Sequence, residues 1–123
     1  MRRTGTFVHE VRVMLAPGAD PAAVGGAITE ALCGGWDHDE PCRWPHHTSV
    51  SQDGGITVTR TVFLARRREQ DEVRRRIDVR LSVGELTGPD GTVTRWQHMH
   101  SRAVPAQPAE VGSLRPSSQS RTA

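Results

Sequence analysis

From Thr6 to Ala16 apolar and polar positions alternate, with Phe7, Val11, Val13 and Leu15 on one parity and Glu10 and Arg12 on the other. A period of two sends successive side chains to opposite faces, so this stretch predicts a half-buried strand, stopped by Pro17 and Gly18. The period then changes. Val24, Ala27, Ile28, Ala31 and Leu32 recur at helical spacing behind Asp20 as a cap and Pro21 at the first position, and Gly34 and Gly35 suit the end of that helix. A short strand is predicted through Thr48, Val50 and Gln52. After the turn signal DGG a longer one follows in GITVTRTVFLA, where Ile56, Val58, Val62 and Leu64 share a face interrupted by Arg60. Two such runs around a glycine-rich turn read as a hairpin.

The next stretch, RRREQDEVRRRIDVRLSVGEL, carries two patterns at once. As a helix it stacks Val73, Ile77 and Leu81 at i, i+4, i+8, with acidic residues near its start. As a strand it alternates Ile77, Val79, Leu81 and Val83 with Asp78, Arg80 and Ser82. The helix is preferred, because the acids sit at its start and Gly84 near its stop. The turn GPDG then leads to a final strand, TVTRWQHMH. The order strand, helix, strand, strand, helix, strand is that of an α+β, ferredoxin-like βαββαβ sandwich, an antiparallel sheet with two helices on one face. The alternative is one helix packed on an antiparallel meander. One domain, residues 1–103, is expected. Residues 104–123, rich in Pro, Ser and Gln, are expected to form a disordered tail.

Composition changes this picture little. The chain has 123 residues, enough for a single core. All 16 basic residues are Arg, as in GC-rich coding sequence, and acids interleave with them to leave a net charge of +2. A nucleic-acid binder needs a one-sided basic patch instead, so that partner is not expected. On a helix, Asp71 with Arg75, Glu72 with Arg76 and Arg74 with Asp78 stand at i, i+4, which reads as a solvated, self-satisfied face. GADPAAVGG lacks the lysine of a phosphate-binding loop. No run approaches the length of a membrane span, and His9, Glu10 and Arg12 interrupt what would be the apolar part of a signal peptide. A cytoplasmic location is therefore expected, where thiols are kept reduced.

Chemistry concentrates in CGGWDHDEPCRWPHH, residues 33–47, which holds both cysteines, three of six histidines and two of three tryptophans. A connection this long without secondary structure is usually functional or disordered, and tryptophan and cysteine argue against disorder. Cys33, His38, Cys42 and His46, or His47 in place of His46, supply the thiolate and imidazole donors that tetrahedral zinc prefers, although the spacing departs from the usual paired arrangement. A Cys33–Cys42 disulfide is a second way to order the loop. Packing of Trp36 and Trp44, with Pro41 and Pro45 stiffening the backbone, is a third. Cys33 on its own also reads as a buried small hydrophobe. Cys42 beside Arg43 is a weaker candidate for a nucleophile.

A second group stands in WQHMH. On a regular strand Trp96, His98 and His100 share one face and Met99 takes the other, which suits a two-histidine contact, an acid–base site or an interface. His9 shares parity with Phe7 and Val11, and joins His98 or His100 if the first and last strands pair. Three functions follow as expectations. The first is a small metal-binding domain, with zinc on Cys33, His38, Cys42 and His46 or His47, in a structural or regulatory role. The second is a metal-free module that self-associates as a homodimer through an open sheet face, with Trp44, Trp96, His98 and His100 as ligand or interface residues. The third is a cyclase-, isomerase- or monooxygenase-like enzyme with a pocket between that face and the 34–47 loop.

Overall fold

The computed structural model describes residues 4–34 and 43–114. Five strands, β1 (Thr4–Leu15), β2 (His46–Asp53), β3 (Ile56–Arg66), β4 (Glu85–Thr87) and β5 (Val93–Val104), form one antiparallel sheet in the order β2-β3-β1-β5-β4. Helices α1 (Ala22–Cys33) and α2 (Gln70–Ser82) complete an α+β architecture. The four-strand βαββαβ order expected from the sequence is not reproduced as such. A fifth strand, the three-residue β4, lies between α2 and β5 in sequence and pairs with the start of β5.

The ambiguous segment is helical because Val73, Ile77 and Leu81 are all fully buried, a stripe that only a 3.6-residue period can turn to one side. Burying each such side chain is worth about 1.5–3 kcal/mol. The stripe meets Val24, Ala27, Ile28 and Leu32 of α1 and Phe63, Val11, Val13 and Trp96 of the sheet in one cluster. At the start of α1 the Asp20 carboxylate accepts the first helical N–H, from Ala22, at 3.0 Å, with Pro21 between them. After α2 the chain turns at Gly84, whose φ is +78°. A Cβ there would come within 2.8 Å of the Trp96 carbonyl oxygen, so no other residue fits.

The strand register assigns the two faces. Phe7, His9, Val11 and Val13 stand opposite Phe63, Thr61, Thr59 and Thr57, and this is the face beneath the helices. The row of β3 that meets the core cluster is thus threonine, phenylalanine and alanine, not the Ile56, Val58, Val62 and Leu64 row. Each buried threonine hydroxyl is bonded: Thr57 donates to Gln52 Oε1 (3.1 Å), Thr59 to the Val11 carbonyl (3.2 Å), and Thr61 pairs with Thr48 (2.9 Å). A satisfied hydroxyl avoids the penalty of burial, which leaves the β-branched shape to pack.

The apolar row lies on the opposite face, and it is also covered: Val8 is fully buried and Val58, Val62 and Leu64 are nearly so. Arg60, in the middle of this row, clasps Glu110 through two hydrogen bonds of 2.8 and 2.9 Å and also donates to the Pro105 carbonyl. Residues 105–114, expected to belong to a disordered tail, therefore carry turns tied to the second face of the sheet. Residues 115–123 lie outside the described residues. At Arg60 the chain's own C-terminal segment lies against the face expected to be open for a partner, whereas His47, Ser49, His100 and Arg102 on that face are exposed.

β5 contains an irregularity that alternation could not reveal. Arg12 of β1 stands opposite His100 and Val13 opposite His98, so Met99 is an extra residue, a bulge. The bulge inverts parity along the strand. Trp96 and His98 face the helices, then Ser101 and Ala103 do, opposite Val11 and His9. His100 and Arg102 face the other way.

Candidate functional site

At the mouth of the 34–47 connection the structure brings together Cys33, Trp44 and His46. Cys33 is disulfide-bonded. The one other cysteine of the sequence is Cys42, which lies outside the described residues, as do Trp36, His38 and Pro41. A sulfur held in a disulfide is not the thiolate that a zinc site requires. His46 Nδ1 donates to the Trp44 carbonyl at 3.1 Å and comes within 4.0 Å of Cys33 Sγ, while His46 Nε2 accepts from the Thr29 hydroxyl at 3.2 Å. Both ring nitrogens are engaged, and burial holds the His46 pKa below its ordinary value against the opposing pull of the Trp44 carbonyl. His47, next along β2, is exposed on the opposite face. Among the described residues no three His, Cys, Asp or Glu side chains gather in a way that could hold a metal ion.

Trp44 and Trp96, expected as ligand or interface groups, both belong to the buried core cluster. Trp44 is buried, the guanidinium groups of Arg43 and Arg76 lie over its ring at 4.4 and 4.9 Å, and its indole N–H points to Glu69 Oε1 at 3.4 Å. Glu69 also takes Arg43 Nη2 at 2.9 Å and the Arg66 N–H. Burial would raise its pKa, but these hydrogen bonds outweigh burial and hold it low. Trp96 is buried and donates from Nε1 to the Leu81 carbonyl at 2.9 Å. It ties β5 to the end of α2.

A different polar cluster lies between β1, β5 and α2. His9, almost fully buried, places Nε2 2.8 Å from Asp78 Oδ1. Arg74 Nη1 donates to the Val8 carbonyl at 2.7 Å and lies 3.2 Å from His9 Nδ1, and Arg74 Nη2 reaches Gln70. A guanidinium only donates, so His9 Nδ1 is an acceptor and the hydrogen on Nε2 goes to Asp78. Ser101 and His98 lie close enough to Asp78 to help lower its pKa. Ser101 Oγ lies 2.7 Å from His98 Nε2. On one side Arg74 donates to His9 and His9 to Asp78; on the other the His98–Ser101 pair stands beside the same carboxylate.

Burial alone would raise the Asp78 pKa; the hydrogen bond from His9 and the proximity of Ser101 and His98 override it and keep the carboxylate below its ordinary range. Of the expected pair His98 and His100, the bulge admits only His98 to this cluster, while His100 is exposed on the far side. The expected i, i+4 partnership of Arg74 with Asp78 is replaced by a shared bond to His9, and the Glu72–Arg76 pair is present at 2.9 Å. Asp78, Ser101 and Arg74 were not singled out as site residues. One signal pointed to them: positions 74 and 78 adjoin the buried 73, 77, 81 row, and His9 sits on the strand face that such a helix covers.

No family model matches this sequence, and no characterised protein or solved structure matches it. Among the described residues no helix is long and apolar enough to cross a membrane.

Proposed function

We propose that this protein is a small acid–base domain, built on a ferredoxin-like framework, in which His98 exchanges a proton with a small carbonyl-type substrate as an isomerase does. The observation that carries the reading is the 2.7 Å contact of His98 Nε2 with Ser101 Oγ beside the lowered Asp78 carboxylate. Where Nε2–H is donated to Ser101, the lone pair of His98 lies on Nδ1. When Nδ1 takes a proton from an acidic C–H, the positive charge formed on the imidazole is stabilised by the nearby Asp78 carboxylate, and the proton is then returned to a neighbouring atom. No co-reactant is needed, and nothing is oxidised. Ser101 and Asp78 act as positioning residues, and His9 with Arg74 keeps the carboxylate fixed and ionised. General acid–base assistance of this kind contributes on the order of 10²–10⁴-fold in rate.

For the framework, the support is that β2-β3-β1-β5, with the three-residue β4 set aside, is the sheet of a split βαβ sandwich. The zinc reading is not carried further, since Cys33 is in a disulfide and His46 has both nitrogens bonded.

The test is deuterium uptake from D2O into the acidic C–H positions of a panel of small keto and hydroxy acids. Exchange above the buffer rate is expected with the native chain, lost in His98→Gln, reduced in Asp78→Asn and retained in His100→Gln. No exchange, or equal exchange in His98→Gln, overturns the reading.

A further inference from the structure

The two edges of the sheet are built differently. On the β5 side, β4 pairs with Val93–Arg95, the Met99 bulge breaks the ladder, and Arg95 and Arg102 add charge. Cover, bulges and charges are the devices by which proteins keep a strand edge from pairing with another chain. Among the described residues the β2 edge has no covering strand and no bulge, and its one formal charge is Asp53 at the turn end. Its eight residues, HHTSVSQD, include no proline and no Lys or Arg, and its register with β3 runs without a break from His46 to Asp53.

The hairpin turn specifies which backbone groups point outward. Gly54 and Gly55, with φ of +59° and +95°, form a two-residue turn closed by Asp53 and Ile56. In such a turn the closing pair is hydrogen-bonded, so the odd-numbered residues of β2 bond to β3. The Leu64 N–H bond to the Pro45 carbonyl, 3.0 Å, continues the same phase beyond the strand. Thr48, Val50 and Gln52 therefore direct their N–H and C=O groups to the outer edge, where no strand among the described residues pairs with them.

We infer that this edge is the interface with a second copy of the chain, joined antiparallel about a two-fold axis perpendicular to the sheet and centred on Val50. That axis keeps each side chain facing the same side in both copies, so outward-bonding residues must meet outward-bonding residues. In the register centred on Val50, Thr48 meets Gln52 and Val50 meets itself on the helix side. On the other side Ser49 meets Ser51, and His47 meets Asp53. No like charges oppose each other, and the one charged residue of the strand faces an imidazole twice by symmetry. The assembly is independent of the acid–base reading, because the Asp78 cluster lies between β1, β5 and α2.

Sedimentation of the full chain tests it. A dimer is expected at concentrations up to about millimolar, the range in which weak pairing becomes visible. Val50→Pro removes an outward N–H and no bond to β3, and is expected to weaken association ~tenfold or more. His47→Asp sets carboxylates against one another at exposed positions and is expected to weaken it as well, with recovery in His47→Asp combined with Asp53→His. A native chain that stays monomeric overturns the inference. So does a dimer that Val50→Pro leaves intact with native far-UV circular dichroism. Should Val50→Pro fail to fold, the His47 and Asp53 charge exchange decides: unchanged association in His47→Asp overturns the interface.

Discussion

His46 and His98 occupy similar settings, both part-buried on strands beside a helix, yet they are bonded in opposite ways. His46 spends Nδ1 on the Trp44 carbonyl and Nε2 on the Thr29 hydroxyl, two neutral partners next to a disulfide. His98 has Nε2 on Ser101, beside the Asp78 carboxylate that His9 and Arg74 hold from the other side. The first arrangement holds a neutral ring in place and favours no change of charge. The second offers a countercharge to a ring that gains a proton. Density of rare residues along the sequence marked the first corner, whereas convergence of three distant segments made the second.

Perturbations of the two corners should separate them. The largest effect is expected from reducing the disulfide at Cys33, at about 2–4 kcal/mol of stability in denaturant unfolding, with the Asp78 cluster unchanged in the imidazole resonances of His9 and His98. Loss of stability together with scrambling of those resonances would show that the corners are one unit. Next, Asp78→Ala strips the buried His9 of its acceptor and is expected to cost about 2–3 kcal/mol, reductant or not. Additivity of this cost with reduction, measured as a double-perturbation cycle, is the expected result. Glu110→Gln, at neither corner, is expected to cost about 1 kcal/mol through the Arg60 clasp. Its hydrogen bonds with Arg60 pull the Glu110 pKa down to about 2, so the clasp contributes above the ordinary carboxylate value of 4.5 and is lost as pH falls toward 2.

The smallest effect is a slope. A buried histidine with a lowered pKa resists protonation, so His46 leaves stability intact above its ordinary value of 6.5 and lowers it as pH falls below that value toward the folded one. Asp78, also lowered, contributes above its ordinary 3.8 and loses that contribution as pH falls through its folded value below it. Stability measured from pH 7 to pH 3 is therefore expected to decline first on account of the His46 corner, and His46→Phe should flatten the early part alone. An early decline that survives His46→Phe would place its origin elsewhere.

Where sequence and structure agree, a period matched a face. Both helices were legible, α1 from its apolar spacing behind Asp20 and Pro21, and α2 because a buried stripe at 73, 77 and 81 outweighed an equally regular alternation. Pairing of β1 with β5, raised as a condition for His9, placed that residue beside the cluster. Three things were hidden for physical reasons. A row of threonines looks like a solvent face until its hydroxyls find partners. Arg74 and Asp78 look like a surface pair because i, i+4 spacing satisfies them on paper, whereas a buried imidazole binds both. The strand β4 consists of three residues, too few for any periodicity to show.

The extra residue at Met99 has a consequence for how this protein can vary. Downstream of it, Ser101 and Ala103 lie toward the helices while His100 and Arg102 lie away. Deleting Met99 would remove the bulge and leave both sets on their faces, because plain alternation from His98 then carries His100 away and Ser101 toward the helices. Substitutions along β5 change one side chain at a time, and many should be absorbed. A single-codon deletion at 99 should be absorbed too, whereas straightening the strand with every residue retained would exchange the faces from residue 100 onward.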